Sequence, residues 1–185
     1  SHWSTLQFPT AEELKALMPE RQAAFSPEVR WKYSNLAYTV AGMIVEAVSG
    51  ETWAAYLQNH IFNPLGMAAS SVDQPVTGLA VGYGRRMPDG SRAIMPFVDA
   101  KGMAPATGLT STVEDETTWT QGYAVGFSVR REKDKIYVGH GGSYPGYMTQ
   151  TYFRPDDKIG VIVLTNAQDA APAEIAMQLM NSVGE

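Results

Sequence analysis

At 185 residues, 44% hydrophobic and 18% charged, the chain has the size and composition of one compact domain or a generous part of one, and is neither disordered nor fibrous. Its 19 acidic and 14 basic side chains give a net charge of -5 with no run of Lys or Arg able to track a phosphate backbone, which argues against a nucleic-acid partner. The absence of cysteine excludes disulfides, thiolate metal sites and a cysteine nucleophile, and leaves the compartment open.

Thr10-Ala11-Glu12-Glu13 matches a capping box, and Leu14, Leu17 and Met18 give a short helix one apolar face before Pro19. A second helix is expected after Ser34 or Asn35, because Leu36, Val40, Met43, Ile44 and Ala47 recur at helical spacing and Gly50 offers a left-handed cap. Trp53, Tyr56, Leu57, His60 and Ile61 repeat the pattern in a third helix that ends at Asn63-Pro64-Leu65-Gly66. The longest apolar stretch, Ala37 to Val48, is broken by Glu46 and falls short of the ~20 apolar residues a membrane span needs. No export signal opens the chain, so any targeting segment is expected to lie outside these residues.

Between Ser70 and Gly108 the Gly-, Pro- and Ala-rich text predicts loops and short strands. After Gly122 the period becomes two: Val125, Phe127 and Val129 lead through a polar turn at Glu132 to Lys135 into Ile136 to His140, a β-hairpin. Met148 to Arg154 and Lys158 to Asn166 form a second hairpin around Pro155-Asp156-Asp157, and the Ile159 to Leu164 run suggests a strand covered on both faces. Pro172 then opens a helix whose apolar side is Ile175, Leu179 and Val183. One junction conflicts with itself. Ser111-Thr112-Val113-Glu114 is another capping box, yet Asp115 to Thr120 carries three Thr and no apolar stripe, so residues are expected to be missing between about Glu114 and Thr120.

Two short motifs can carry chemistry. Tyr33-Ser34-Asn35 precedes the strongest helix, and in extended backbone residues two apart point the same way, so Tyr33 and Asn35 can face one cleft; alternatively Ser34 or Asn35 only caps the helix and Tyr33 is a half-buried aromatic. His140-Gly141-Gly142-Ser143 ends a strand on a glycine pair, where substrate can lie against the strand edge and backbone amides can hold an oxyanion; alternatively it is a Gly-rich turn with an incidental histidine. His60 reads as a packed side chain and His2 as a mobile one, and the three histidines give no zinc spacing, so no metal is expected. Glu12, Glu13, Asp156 and Asp157 read as solvated cap and turn residues.

The order Tyr33-Ser34-Asn35, Ile61-Phe62-Asn63-Pro64-Leu65-Gly66-Met67, Gly108 to Asp115, His140-Gly141-Gly142 and Val163-Leu164-Thr165-Asn166 resembles the serine β-lactamase-related family. That family includes class C β-lactamases, penicillin-binding DD-peptidases, D-aminopeptidases and family VIII esterases. The resemblance implies an α+β, β-lactamase/transpeptidase-like fold, an antiparallel sheet flanked by helices with a helical subdomain. Residues 1–185 would form a single, partial serine hydrolase domain, with 10–110 mainly helix and loop and 120–185 the sheet hairpins and last helix.

It further implies an acyl-enzyme mechanism without cofactor or metal. Tyr33, as phenolate or through a motif lysine, would shuttle the proton of the attacking serine, and Asn35 would hold the substrate amide or that lysine. A free phenol ionises near ~10, so this role needs a cationic neighbour. His140-Gly141-Gly142 would stand where many relatives have Lys-Thr-Gly, with Gly141 and Gly142 against substrate and the Ser143 backbone N–H as one oxyanion donor. An unperturbed histidine is charged only about a quarter of the time at pH 7, so carboxylate recognition should weaken and esters or D-aminoacyl substrates should be favoured over β-lactams. The expected partner is a small acyl or peptide substrate, with oligomeric state undetermined. A periplasmic or secreted setting is expected, with the cytoplasm open.

The Ser-x-x-Lys nucleophile motif is absent, since no serine here is followed three residues later by lysine. Ser1-His2-Trp3-Ser4 is similar to the His-x-Ser-Gly stretch that follows that motif in relatives, without its glycine, so the nucleophile is expected upstream and these residues alone inactive. Phe25-Ser26-Pro27-Glu28 lacks the glycine that relatives place after proline. The second reading is a catalytically inactive relative serving as a binding or scaffold module.

Overall fold

A computed structural model of the chain describes residues 2–23, 25–26, 29–30, 32–74, 76–115, 127–132 and 134–183. Its helices are α1 (His2–Thr5), α2 (Ala11–Leu17), α3 (Asn35–Ser49), α4 (Trp53–Leu57), α5 (Asn63–Leu65), α6 (Ala104–Thr107) and α7 (Pro172–Val183). Its strands are β1 (Ser71–Val72), β2 (Tyr83–Arg86), β3 (Arg92–Ile94), β4 (Leu109–Thr110), β5 (Ser128–Glu132), β6 (Lys135–Tyr144), β7 (Tyr147–Arg154) and β8 (Ile159–Thr165). They form two compact units, Ser1–Val76 with Val98–Ser111, and Thr77–Phe97 with Thr112–Glu185.

The first unit is helical, with β1 and β4 paired antiparallel as a two-stranded ribbon. Thr10 starts α2 by the expected reciprocal cap: Glu13 N donates to Thr10 Oγ1 at 3.2 Å, and Thr10 N donates to Glu13 Oε2 at 2.8 Å. Phe8, Leu14, Leu57, Phe62, Met67 and Met103 are among its buried side chains. The stripe expected on α3 is rotated: Thr39 and Gly42 are the buried positions, whereas Leu36 and Ile44 are exposed. The reason is α6. A Cβ on Gly42 would lie 2.3 Å from Pro105 Cγ, so glycine lets the two helices approach until backbone meets ring.

The third predicted helix is real but changes pitch. After α4 the chain makes a π-helical turn, Gln58–Phe62, before α5 resumes with Pro64 in its first turn and Gly66 closes it at φ 72. The wider turn shifts the register by which His60 was placed on the apolar stripe. His60 instead lies at the surface, its Nε2 2.7 Å from Glu51 Oε1 and its ring 4.5 Å from that of Tyr56. The hydrogen bonds from His60 and then Asn59 hold the Glu51 carboxyl below its ordinary value.

Asp73 ties β1 to the segment that leads into α6. Its carboxylate accepts from Ala100 N at 2.8 Å and Lys101 N at 3.0 Å, and its own N–H donates to Gly108 O at 2.8 Å. Burial, and then the hydrogen bond shared with Asp99, push Asp73 up to about 6.

In the second unit β5-β6-β7-β8 form a continuous antiparallel meander, so the two predicted hairpins are one sheet. Val125 and the other residues of 116–126, including the anomalous stretch after the capping box, lie outside the described residues. At that box the cap is Thr112, whose Oγ1 accepts from Asp115 N at 3.2 Å, while Ser111 Oγ lies 2.8 Å from Ser70 Oγ. The second-unit α7 packs on β7 and β8 through Pro172, Ala176 and Met180, which corrects the expected Ile175, Leu179, Val183 face; those three are exposed. β8 is the last strand in the sheet order, with Gly160 and Leu164 exposed, so it is not covered on both faces. Asp157 is not merely solvated: its Oδ2 lies 2.7 Å from the Nε of buried Arg154. Beside the sheet, the β2–β3 hairpin is anchored by Tyr83 N to Asn166 O at 2.9 Å and by the Arg92–Asp169 ion pair.

Gly42→Leu should destabilise the protein by about 1–3 kcal/mol, because added methylenes must displace the Pro105 ring; an unchanged urea midpoint would contradict the close crossing. Asp73 binds its proton more tightly folded than unfolded, so its stabilising contribution is complete below the ordinary value of 3.8 and is lost as pH rises through about 6. Asp99→Asn keeps a turn acceptor for Lys101 N and removes the second negative charge. The variant should therefore gain stability over wild type as pH rises from 4 to 7 in urea titrations, and a pH-independent difference would refute the coupling.

Candidate active site

α3 begins where it does because Ser34 is an extended N-cap, φ -149 and ψ 107, with its Oγ accepting from Ala37 N at 3.2 Å. Extended backbone at Ser34 puts the side chains of Tyr33 and Asn35 on the same side of the chain. Tyr33 is 53% exposed, and Asn35 is the first helical residue. Its carbonyl accepts from Thr39 Oγ1 at 3.1 Å, so the buried hydroxyl of α3 braces the turn that carries Asn35. Capping and presentation thus belong to one tripeptide: Ser34 caps, and its two neighbours are displayed.

The His140 motif lies inside a strand, not at its end. β6 continues to Tyr144 and turns through Pro145-Gly146, where Gly146 has φ 89, into β7. Pairing with β5 stops at Ser128↔Gly139, whereas pairing with β7 runs on through His140↔Thr151, Gly141↔Gln150, Gly142↔Thr149 and Ser143↔Met148. Among the described residues no strand pairs the second edge of Gly141–Ser143. His140 to Ser143 are exposed along that edge.

The glycines there lie close against β7. A Cβ on Gly139 would fall 2.0 Å from Thr151 O, one on Gly141 would fall 2.9 Å from Gln150 Oε1, and one on Gly142 would fall 2.5 Å from Thr149 Oγ1. Gln150 is buried and its Nε2 donates to Thr151 O at 3.1 Å; Ser128 Oγ donates to Gly139 O at 2.6 Å, which fixes β6 where β5 leaves it. Thr149 and Gln150 were missed by motif reading. Counting back from the Pro145-Gly146 turn would have placed them opposite the glycine pair.

Tyr33 and Asn35 belong to the first unit, and His140, Gly141, Gly142 and Ser143 to the second. A cavity of about 350 Å³ in the first unit is lined by Met43, Glu46, Trp53, Asp73, Lys101 and Pro105 among others, and by neither Tyr33 nor Asn35. Its acidic groups are engaged in local structure: Glu46 Oε1 accepts from Trp53 N at 2.8 Å, and Asp73 holds the Ala100–Lys101 amides. Among the described residues no group of three or more His, Asp or Glu side chains is placed to hold a metal ion.

The Beta-lactamase family model matches residues 2–133. The chain is 22% identical to a D-aminopeptidase from Brucella anthropi over 187 residues, covering 85% of this chain and 35% of that protein. In structure it is similar to the octameric penicillin-binding protein homologue from Pyrococcus abyssi, with a TM-score of 0.81 and 26% identity over 94% of this chain and 47% of that one. A D-stereospecific amidohydrolase from Streptomyces sp. gives a TM-score of 0.79 at 18% identity, covering 96% of this chain and 62% of that one. The chain therefore spans about a third to two thirds of the length of these relatives.

Ser34→Ala should lower stability by about 1 kcal/mol through loss of the cap, with Ser34→Asp restoring most of it; equal stability of all three forms in thermal unfolding would show that Ser34 does not set the start of α3.

Proposed function

The chain belongs to the Beta-lactamase family, and we propose that it is part of a serine acyl hydrolase acting through an acyl-enzyme on esters, amides or D-aminoacyl peptides. The observation that carries this reading is the Gly141–Ser143 edge of β6, with one side paired to β7, backbone amides at hand and no side chains on its two glycines. An acyl substrate can align along such an edge as an added strand would, with its carbonyl oxygen at the Ser143 N–H. The names of the relatives, D-aminopeptidase and D-stereospecific amidohydrolase, support the acyl class.

In this scheme the serine Oγ attacks the acyl carbon, and its proton passes to Tyr33, which takes it as the phenolate or through the motif lysine. The carbonyl oxygen gains negative charge and accepts hydrogen bonds from Ser143 N–H and a second donor. Collapse expels the leaving group, which takes the proton from Tyr33, and water then hydrolyses the ester by the reverse transfers. Asn35 orients the substrate amide or the lysine, and His140 faces the acyl substrate. No serine here begins a Ser-x-x-Lys, so the nucleophile comes from polypeptide outside these residues, and the 185 residues alone are inactive. The second reading, an inactive penicillin-binding-protein-like binding or scaffold module, becomes the better account if the full-length protein carries no Ser-x-x-Lys. The family's usual setting favours a periplasmic or secreted protein. Among the described residues no helix is long and apolar enough to cross a membrane.

A fluorophosphonate probe should label one serine of the full-length protein and leave residues 1–185 unlabelled; no labelling of the full-length protein would select the binding-module reading. Tyr33→Phe should lower kcat for a p-nitrophenyl ester by about 10²-fold or more with the fold intact, and a change under threefold would remove Tyr33 from the proton path. Ester turnover should exceed that of a cephalosporin, and the reverse order would overturn the substrate preference.

A further inference from the structure

We propose that Thr149 is a specificity-determining residue whose hydroxyl accepts a hydrogen bond from the amino group on the acyl side of the substrate. The inference rests on the reading of the β6 edge as the substrate-binding strand, and it concerns a residue that the motif itself does not contain.

Gly142 and Thr149 are directly opposed on β6 and β7, so their side-chain positions share a face and lie roughly 4.5–5.5 Å apart. Because Gly142 has no side chain, Thr149 leans across: its Oγ1 lies 2.5 Å from where a Gly142 Cβ would be. The hydroxyl therefore occupies the space over the strand that carries the substrate-binding edge. His140, two residues before Gly142 on β6, presents its ring on the same face, opposite Thr151. Leu164, opposite Thr149 on β8, is partly exposed and forms an apolar border to the same row.

Two other hydroxyls of this sheet are committed to the backbone. Ser128 Oγ donates to Gly139 O at 2.6 Å and Thr165 Oγ1 donates to Met148 O at 2.7 Å, each fixing a strand. Thr149 Oγ1 has no hydrogen-bond partner among the described residues, and Thr149 is only half-buried. A hydroxyl is both donor and acceptor, and an amino group on the α-carbon of a D-aminoacyl substrate supplies donors. A hydrogen bond to such a charged group is stronger than one between neutral partners, which suits a role in selecting aminoacyl over simple acyl substrates.

The test uses the full-length protein and two chromogenic anilides, D-alanine p-nitroanilide and its analogue without the amino group, propionic acid p-nitroanilide. Thr149→Val, nearly isosteric, should raise KM for the D-alanyl compound about 5- to 20-fold with kcat within about twofold, and leave KM for the propionyl compound unchanged. Thr149→Ser should behave as wild type. Equal loss on both substrates would show a purely structural role, and no change on either would show that the hydroxyl does not meet the substrate; each outcome overturns the inference while leaving the hydrolase reading in place. If the wild-type protein turns over neither anilide nor ester, the hydrolase reading fails and takes this inference with it.

Discussion

The close fit of β6 against β7 is the constraint on which the proposed substrate edge depends. Gly139 faces a β7 carbonyl that leaves no room for a Cβ, and Gly141 and Gly142 face the side-chain ends of Gln150 and Thr149. Gly139 is buried, and its backbone contact there holds β6 in register with β7. Antiparallel pairing with β7 continues along the segment where pairing with β5 has stopped. A strand held by pairing on one side, with no described strand on the other, is a better template for an acyl substrate than a loop of the same composition, because less entropy remains to be lost when substrate aligns.

The first unit uses a similar device at a helix crossing. Gly42 of α3 faces Pro105 of α6, and a rigid ring fills the space that a side chain would occupy. Around it, polar groups complete what packing starts. Ser34 caps the start of α3, Glu46 near its end accepts from the first amide of α4, and Asp73 holds the backbone entering the turn before α6. These are charge-assisted or capping hydrogen bonds to amides that helix starts otherwise leave unpaired. Tyr33 and Asn35 are displayed by that frame, one exposed and one at the first helical position, so the accuracy of their placement depends on the cap between them.

The two motifs differ in how their local structure relates to their chemistry. At Tyr33-Ser34-Asn35, capping and display coexist, and the mundane role of the middle residue is the means by which the outer two are oriented. At His140 to Ser143 the glycines serve packing against β7 first, and their lack of side chains on the outer edge follows from that. Belonging to the Beta-lactamase family, this chain carries a His-Gly-Gly strand against which Thr149 and Gln150 are placed by register alone. Residues of this kind have no motif, since what selects them is the strand opposite.

The boundaries set by short-range chemistry were legible from the amino-acid order: Thr10 and Glu13 cap each other, Ser34 starts α3, Gly50 and Gly66 end helices in left-handed backbone, and the polar turns at Glu132 to Lys135 and Pro155-Asp156-Asp157 separate strands. Such features depend on neighbours within about four residues, and these are present in the sequence itself. The face each element buries was not legible. α3 turned Thr39 and Gly42 inward, α7 turned Ala176 and Met180, and the π-helical turn moved His60 to the surface. Apolar periodicity announces that a stripe exists, but the partner's shape decides which stripe is used, and Pro105 admits only glycine at the crossing. For the same reason the candidate site divides in two: Tyr33, Asn35 and His140 could be chosen by residue type and spacing, whereas Thr149 acquired its place only when β7 folded back on β6.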